Sequence, residues 1–467
     1  MPRICVSVAD RRFVEGRTFA EFRIDLIGGM PPIPPGCEAI VTCRPKWEGG
    51  AYEGSEEDRR AVLEKAAPGA WAVDVEERST WRPRRPEGVK LILSHHDFQG
   101  SPHGLRPVVK RMQAESADYL KIAMMARTPE DLRELMRVQR ELGARGIVVA
   151  MGEYGAPARV LAARLGSPWT YASPTQGDPT APGQFSEEIL RDVFRYEKIG
   201  AYTRAFCVAG DPVRHSMSPA LFNALFRRAG LDALYVPARI PAGSLMDSLE
   251  AIGIEGASVT IPHKEEAYRN CRADRHSEQA RAVNTLHRRG GAWEGSNTDS
   301  RGFLTSLESF AGHSVSGLRA VVLGYGGAAR SVAAALSPRN EVLITGRNEA
   351  RARELAEELG VRWVPLDRVA SSAYHLLVNA TPAGMEPDRE GVPVPADDLL
   401  PGTLVYDCVY TPRETRLLRE ARDRGCRAVG GVGMFVEQAI LQAAYWFGED
   451  IRPAMRETVA EFLAKTE

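Results

Sequence analysis

Two lysines in this chain stand among polar residues that could do chemistry. Lys121 lies near the end of DYLKIAM, an apolar run that reads as a buried strand. An ammonium placed there is costly unless its charge is paired or its proton is given up, and an amine without its extra proton is a nucleophile. Lys264 lies in TIPHKE, followed by VNT and NTD. That spacing can gather Lys264, Asn284 and Asp299 around a small polar ligand.

A third signal is VVLGYGGAARS, a strand, a glycine-rich turn and the start of a helix. It spells Gly324-x-Gly326-x-x-Ala329, the dinucleotide fingerprint in its G-x-G-x-x-A form. Glycines tighten such a turn and let a pyrophosphate reach backbone N–H groups at the helix N-terminus, here around Gly324, Gly326, Gly327 and Ala328. About 20 residues on, where an NAD-binding strand ends in an acid for the ribose hydroxyls, stand Thr345, Gly346 and Arg347. An acid would repel a 2′-phosphate and Arg347 would attract it, so the cofactor expected is NADP. Arg351 either joins Arg347 there or is a solvated helix residue.

The elements that must position these groups alternate in kind. Up to about residue 190 there are β-rich runs, ICVSV, EFRIDL, AIVTCR, AWAVDVE, VKLILS, DYLKIAM, GIVVAM and WTYAS, with helix-period stretches such as EEDRRAVLEKAA and TPEDLRELMRVQRELG between them. Alternation of this kind predicts a parallel sheet, and eight strands with helical crossovers predict a (β/α)8 barrel over residues 1–200, short for that fold and open to an incomplete closure. A connector breaks at Gly200, placing the boundary near residues 201–205. A second α/β region follows, divided into a substrate-binding lobe, residues 205–305 completed by helices at 436–467, and a Rossmann lobe, residues 306–435.

Composition excludes several classes. Net charge is -1 over 467 residues, with 60 Lys and Arg against 61 Asp and Glu, so no global field calls for nucleic acid or an anionic membrane as partner. The seven cysteines form no CxxC, which points away from a zinc site or a disulfide framework and toward a reduced, cytoplasmic setting. No metal is expected. No run of about 18 apolar residues and no signal-peptide core occurs. Self-association stays open.

In a barrel of this type, chemistry sits at the C-terminal ends of the strands. Glu21 and Arg23, Arg44 and Glu48, Asp74 and Glu76, His96, Lys121 and Met151 all fall at such ends. Their order, in EFRID, CRPKWEGG, DVE, SHHDF, KIA, MGEYG with Arg159, and TAPGQ, resembles type I 3-dehydroquinate dehydratase over residues 1 to 195. The resemblance implies that Lys121 forms an imine with the substrate ketone, that His96 removes the acidified proton and helps a hydroxyl leave as water, and that Glu48 orients His96. It further implies that Arg159 holds the carboxylate and that Glu21, Arg23, Arg44, Thr180 and Gln184 contact ring hydroxyls and carboxylate. Ala158, Thr180 and Val149 depart from the residues usual in that family; these are changes of lining.

The second half resembles shikimate dehydrogenase through GDPVRHSMSP, GASVTIPHKEE, AVNTL, NTDSRGF, NATPAGM, YDCVYTPRET and GVGMFVEQA in order. The resemblance implies that Ser216, Ser218 and Tyr410 bind the carboxylate and that Thr260, Lys264, Asn284, Asp299 and Gln438 hold ring hydroxyls. Lys264 would polarise or protonate the ketone oxygen as hydride arrives, with Asp299 positioning it. Asn379, Thr381 and Gly431 would lie near the cofactor. Met217 replaces a lysine usual between the paired serines. The two resemblances together imply a chain that turns 3-dehydroquinate into 3-dehydroshikimate and then, with NADPH, into shikimate, although quinate and NAD remain open for the second step. A regulator built from decayed domains is disfavoured, because both lysines, His96, Asp299 and the glycine-rich turn are intact.

Overall fold

A computed structural model describes residues 1–100, 102–175, 179–213 and 216–465. Arg214 and His215, part of the GDPVRHSMSP motif, lie outside the described residues. The chain divides into two units, Met1–Val208 with Val213–Ile254, and Ala209–Pro212 with Glu255–Glu467.

The first unit opens with eight strands, β1 (Arg3–Val8), β2 (Phe19–Arg23), β3 (Glu38–Thr42), β4 (Ala72–Glu76), β5 (Lys90–Asp97), β6 (Tyr119–Met125), β7 (Gly146–Met151) and β8 (Trp169–Ala172). They form one parallel sheet in the order β7-β6-β5-β4-β3-β2-β1-β8, a nearly closed α/β barrel whose hydrogen-bonded ladder ends at β7 and β8. These strands read as almost continuous apolar runs because both faces are covered, which is what a parallel sheet requires. The polar exceptions sit at their C-terminal ends.

Helices cross between the strands where the sequence has a 3.6-residue apolar stripe. Helix Pro129–Leu142 starts from a capping box, in which Thr128 accepts the Asp131 N–H and Asp131 accepts the Thr128 N–H, with proline in its first turn. Losing Thr128 as cap would cost about 1 kcal/mol. At the opposite end of the barrel Phe19, Trp71, Tyr119 and Trp169 close the floor with ring centroids 4.8–5.7 Å apart, mostly edge to face. The chemistry is therefore confined to one rim. After the barrel the chain makes two short helical turns, Ile189–Val193 and Tyr196–Lys198, ahead of the break expected at Gly200. Strand β9 (Arg204–Gly210), in which the division between the units falls, helix Ser218–Arg228, strand β10 (Ala233–Arg239) and helix Leu245–Ile252 follow.

In the second unit β11 (Gly256–Val259) runs antiparallel to β13 (Thr285–Arg289), which pairs antiparallel with β14 (Ala292–Ser296), and the short β12 (Arg272–Ala273) lies parallel beside β14. Six parallel strands come next: β15 (Arg319–Leu323), β16 (Glu341–Thr345), β17 (Arg362–Trp363), β18 (Leu376–Asn379), β19 (Leu404–Asp407) and β20 (Arg427–Gly430). Their order, β17-β16-β15-β18-β19-β20, reverses direction between β15 and β18. A sheet of this order leaves a crevice beyond the carboxyl ends of the strands at the reversal, the place where dinucleotides bind.

Helices Val432–Phe447 and Arg452–Lys465 close the unit. The first of them lies so near helix Thr298–Ala311 that a Cβ on Gly302 would stand 2.8 Å from the Gln438 nitrogen. Further along, Gln442 accepts the Ser258 hydroxyl at 2.8 Å and Trp446 donates its indole N–H to the Leu286 carbonyl at 2.9 Å, tying this helix to β11 and β13. Among the described residues no helix is long and apolar enough to cross a membrane.

Candidate active sites

One cavity at the barrel rim is lined by Glu21, Arg23, Arg44, Glu48, His96, Lys121, Arg159, Thr180 and Gln184, all nine residues expected there. Lys121, on β6, is buried. Its Nζ donates to Glu21 Oε1 at 2.7 Å and to Asp74 Oδ2 at 3.0 Å, and lies 4.2 Å from the centre of the Tyr171 ring. The two carboxylates are themselves fixed. Glu21 accepts the hydroxyls of Ser7 at 2.8 Å and Thr42 at 3.0 Å, while Asp74 accepts that of Ser94 at 2.6 Å. Burial alone would raise both carboxyls, but neighbouring cations outweigh it: Lys121 leaves Glu21 below its ordinary value, and Arg44 with Lys121 brings Asp74 down to about 2. The amine is thus held between two anions.

His96, at the end of β5, is oriented by Glu48. Oε1 of Glu48 accepts the His96 backbone N–H at 2.8 Å and sits 3.0 Å from Nδ1. Burial, helped by the Arg44 and Lys121 cations, keeps the imidazole well below its ordinary value, so it is neutral and able to take a proton. Burial also pushes Glu48 up to about 8.

Arg159 is the group that most clearly awaits a partner. Its guanidinium is buried and, among the described residues, donates only to the carbonyls of Ala150, at 2.9 Å, and Pro182, at 2.8 Å, and burial lowers it to about 10. A bound carboxylate would supply the missing charge. Arg23 and Arg44 differ. Arg23 is forked onto Asp25 at 2.7 and 3.0 Å, and Arg44 donates to Glu76 at 2.7 Å, Ser94 at 2.8 Å and Asp74 at 3.2 Å. Gln184 Oε1 accepts the Thr180 N–H at 2.8 Å and its hydroxyl at 3.1 Å, which organises the loop they share.

Sequence reasoning missed Ser7, Tyr171 and Arg59. Arg59 is buried in the helix–sheet interface, where it pairs with buried Glu76 and bonds Ser79 at 2.6 Å, and it also pairs with the partly exposed Glu56 at 2.7 Å. Its signal was available: Arg59, Leu63 and Ala66 share the buried stripe of helix Glu56–Ala66, so an arginine stood at an apolar position.

In the second unit Lys264 Nζ donates to Asp299 Oδ2 at 2.5 Å. Lys264 opens helix Lys264–Arg269 and Asp299 lies in the first turn of helix Thr298–Ala311, so two helix starts bring the pair together. Tyr410 is near: burial and then the Asp299 carboxylate raise its phenol, and its ring stacks on Phe435 at 4.8 Å. Asn284 is buried and mostly committed, donating to the Thr298 hydroxyl at 2.9 Å and accepting the Thr298 N–H at 2.7 Å. It fixes the turn that presents Asp299. Thr260 follows β11, with its N–H on the Ala209 carbonyl at 2.9 Å, and Gln438 donates to the Phe435 carbonyl at 3.1 Å. Ser216 and Ser218 precede and begin helix Ser218–Arg228 in the first unit, where the Ser216 hydroxyl accepts the Ser218 N–H at 3.3 Å.

The β15 turn suits a dinucleotide. Helix Gly327–Leu336 starts at Gly326 with no side chain capping it, and a Cβ on Gly326 would meet nothing within 4 Å, so its N–H groups, including that of Ala328, remain open to an anion. Gly324 has φ +123°, and a Cβ there would lie 3.0 Å from the Ala380 carbonyl oxygen. Asn379, at the end of β18, accepts the Thr381 N–H at 3.0 Å and hydroxyl at 2.7 Å and donates to Asp407 at 2.9 Å, shaping the facing loop instead of presenting a free amide. Gly431 permits a backbone approach, since a Cβ there would lie 2.3 Å from the Cys408 carbonyl oxygen. Arg347 and Arg351 are exposed beyond the end of β16.

A barrel centred on lysine and histidine, followed by a dinucleotide-binding sheet, defines a lyase joined to an oxidoreductase. Comparison with known proteins gives the family. A model of type I 3-dehydroquinase matches residues 16–201, and one of the shikimate dehydrogenase substrate-binding domain matches residues 208–286. The chain is 34% identical over 467 residues to the chloroplastic bifunctional 3-dehydroquinate dehydratase/shikimate dehydrogenase of Arabidopsis thaliana, across 93% of this chain and 76% of the relative. It is 43% identical over 264 residues to the shikimate dehydrogenase (NADP(+)) of Symbiobacterium thermophilum, across 52% of this chain and 89% of that one. A solved shikimate dehydrogenase in complex with NADP+ matches 56% of this chain and 97% of its own, with 34% identity and a TM-score of 0.50. The chain belongs to the bifunctional 3-dehydroquinate dehydratase/shikimate dehydrogenase family.

Proposed function

We propose that the barrel dehydrates 3-dehydroquinate to 3-dehydroshikimate and that the second half reduces that product to shikimate with NADPH. The observation that carries the first step is Lys121, buried between Glu21 and Asp74 in the same cavity as neutral His96 and the uncompensated Arg159. Arg159 takes the substrate carboxylate. Lys121, after giving up a proton, attacks the ketone carbon, and the ketone oxygen leaves as water to form an imine. The imine withdraws electrons from the adjacent C–H, whose proton passes to His96. As those electrons return, the hydroxyl β to the former ketone departs with the proton from His96 as a second water. Hydrolysis of the imine, consuming one water, restores Lys121, so one water is lost overall. Glu21, Arg23, Arg44, Thr180 and Gln184 position the ring, the two committed arginines chiefly through the carboxylates they hold.

In the second half the residues around the β15 turn fit NADP: open helix N–H groups for the pyrophosphate, no acid at the end of β16, and Arg347 and Arg351 for the 2′-phosphate. Bound NADPH supplies hydride. Lys264 places its ammonium on the ketone oxygen and delivers the proton there, Asp299 holds the lysine, Ser216, Ser218 and Tyr410 bind the carboxylate, and Thr260, Asn284 and Gln438 bind hydroxyls. We assign residues 1–200 to the dehydratase, 205–305 with 436–467 to the substrate lobe and 306–435 to the NADP lobe. Seven free cysteines and a net charge near zero support a reducing, cytoplasmic setting with small molecules as partners.

Borohydride reduction in the presence of 3-dehydroquinate tests the barrel chemistry. Mass analysis of the digested protein should find the reduced adduct on Lys121 and leave Lys264 unmodified. An adduct elsewhere, or none, would overturn the imine mechanism.

A further inference from the structure

The glycine-rich turn carries a large ring between its first two glycines, and that ring meets the strand where the ribose recognition residues begin. Tyr325 is half-buried, packed at the edge of the apolar core under the β15–β16 pair. A Cβ on Gly346 would stand 2.8 Å from Tyr325 Cδ1 and 3.0 Å from Cε1. Gly346 is not among the glycines with positive φ, so its backbone conformation is open to any residue, and what the structure shows against a side chain there is the tyrosine ring. On the ring's other neighbour, the guanidinium carbon of Arg351 lies 5.6 Å from the Tyr325 centroid, within cation–π range. The Arg351 N–H is also fixed, because Asn348 Oδ1 caps its helix at 3.1 Å. An exposed arginine on a free helix face would sample many rotamers. Here a ring wedged against Gly346 gives it a platform.

We propose that Tyr325 is a specificity-determining residue for the adenosine 2′-phosphate: it holds the Arg351 guanidinium at the end of β16, and Gly346 is glycine to admit the ring. The proposal rests on the reading that Arg347 and Arg351 receive that phosphate. Holding the side chain in place lowers the ordering cost of binding for a nucleotide with a 2′-phosphate and does nothing for one without it. The signature is therefore a change in the ratio of two affinities. A tyrosine that only packed the core would weaken both nucleotides together.

The test is equilibrium binding by calorimetry of NADPH, NADH, adenosine 2′,5′-bisphosphate and AMP to the full chain and to Y325A, Y325F, G346A and R351A. Y325A should weaken NADPH and the bisphosphate by about three- to fivefold, the size of an exposed cation–π contact, and leave NADH and AMP unchanged. G346A should do the same by displacing the ring. Y325F should retain the wild-type ratio. Unchanged NADH binding shows that the lobe is folded in each variant. Equal losses for all four nucleotides in Y325A, or an unaltered ratio in both Y325A and G346A while R351A lowers it, would overturn the role of Tyr325 alone. An unaltered ratio in R351A would overturn the phosphate reading beneath it as well.

Discussion

Glu48 Oε1 accepts the His96 backbone N–H at 2.8 Å and lies 3.0 Å from that residue's Nδ1, so a single carboxylate oxygen fixes both the main chain and the ring of the proton acceptor. Burial pushes this carboxyl from 4.5 up to about 8. Only its ionised form can stabilise the imidazolium that appears when His96 takes the substrate proton. Dehydratase kcat/KM should therefore rise as pH increases through about 8. E48Q should remove that limb and lower kcat by about a hundredfold, the lower end of what a positioned acid–base group contributes. A pH–rate profile that keeps the same limb in E48Q would assign it to another group.

Asp74 titrates in the opposite sense. Its carboxyl is lowered from 3.8 to about 2 because Arg44 and Lys121 outweigh the burial that opposes them. A group depressed in the folded state stabilises the protein above its unfolded value and loses that contribution as pH falls through the folded one. The barrel should lose about 2 kcal/mol between roughly pH 4 and pH 2 on this account, by the linkage of about 1.4 kcal/mol per unit. Acid titration followed by tryptophan fluorescence should show D74N less stable at neutral pH and with a shallower acid dependence. An unchanged acid slope would mean that other carboxyls govern it.

Arg59 and Glu76 are both fully buried, and Glu76 is shared, one oxygen on Arg59 and the other on Arg44. Removing Arg59 takes one of two counter-ions from a buried carboxylate; breaking a buried pair costs about 3–5 kcal/mol, and with Arg44 still on the other oxygen the lower end, about 3 kcal/mol, is expected. R59M should lower the unfolding free energy read from the urea transition in dehydratase activity by that amount. R59M/E76L should recover part of the loss, because no buried carboxylate is left short of a partner and Arg44 keeps Asp74 and Ser94. Equal or greater loss in the double variant would show that Arg44 depends on Glu76 more than Glu76 costs.

The barrel was legible because its strands are short apolar runs ending in polar residues, and a parallel sheet places all those ends on one rim. His96 and Lys121 are far apart in sequence, yet pairing of β5 with β6 sets His96 opposite Ala123, two residues beyond Lys121. What sequence could not give was the state of each cation. Arg23, Arg44 and Arg159 look alike as letters, and only the surrounding acids show that the first two are already paired, whereas among the described residues no acid pairs with the third. For Asn284 and Asn379, expected from their motifs to hold a ring hydroxyl and to lie near the cofactor, the structure adds a role that letters do not carry: each also shapes a turn with its amide.

Lys264 is held from two sides, and the second is a glycine. A Cβ on Gly327 would stand 2.7 Å from Lys264 Cδ, with Cβ and Cγ at 3.3 and 3.4 Å, so the lysine stem lies flat along the start of the dinucleotide helix while its tip reaches Asp299. This contact joins cofactor turn and proton donor in one piece of structure. G327A should push the stem aside and cut dehydrogenase kcat by tenfold or more, since small displacements of a positioned group are expensive, while dehydratase activity on the same chain stays unchanged. K264M should lower kcat further. If the displacement of Lys264 is the whole effect, G327A/K264M should be no slower than K264M alone. Additive losses in steady-state kinetics would instead mean that Gly327 serves the cofactor independently, through the N–H groups of its turn.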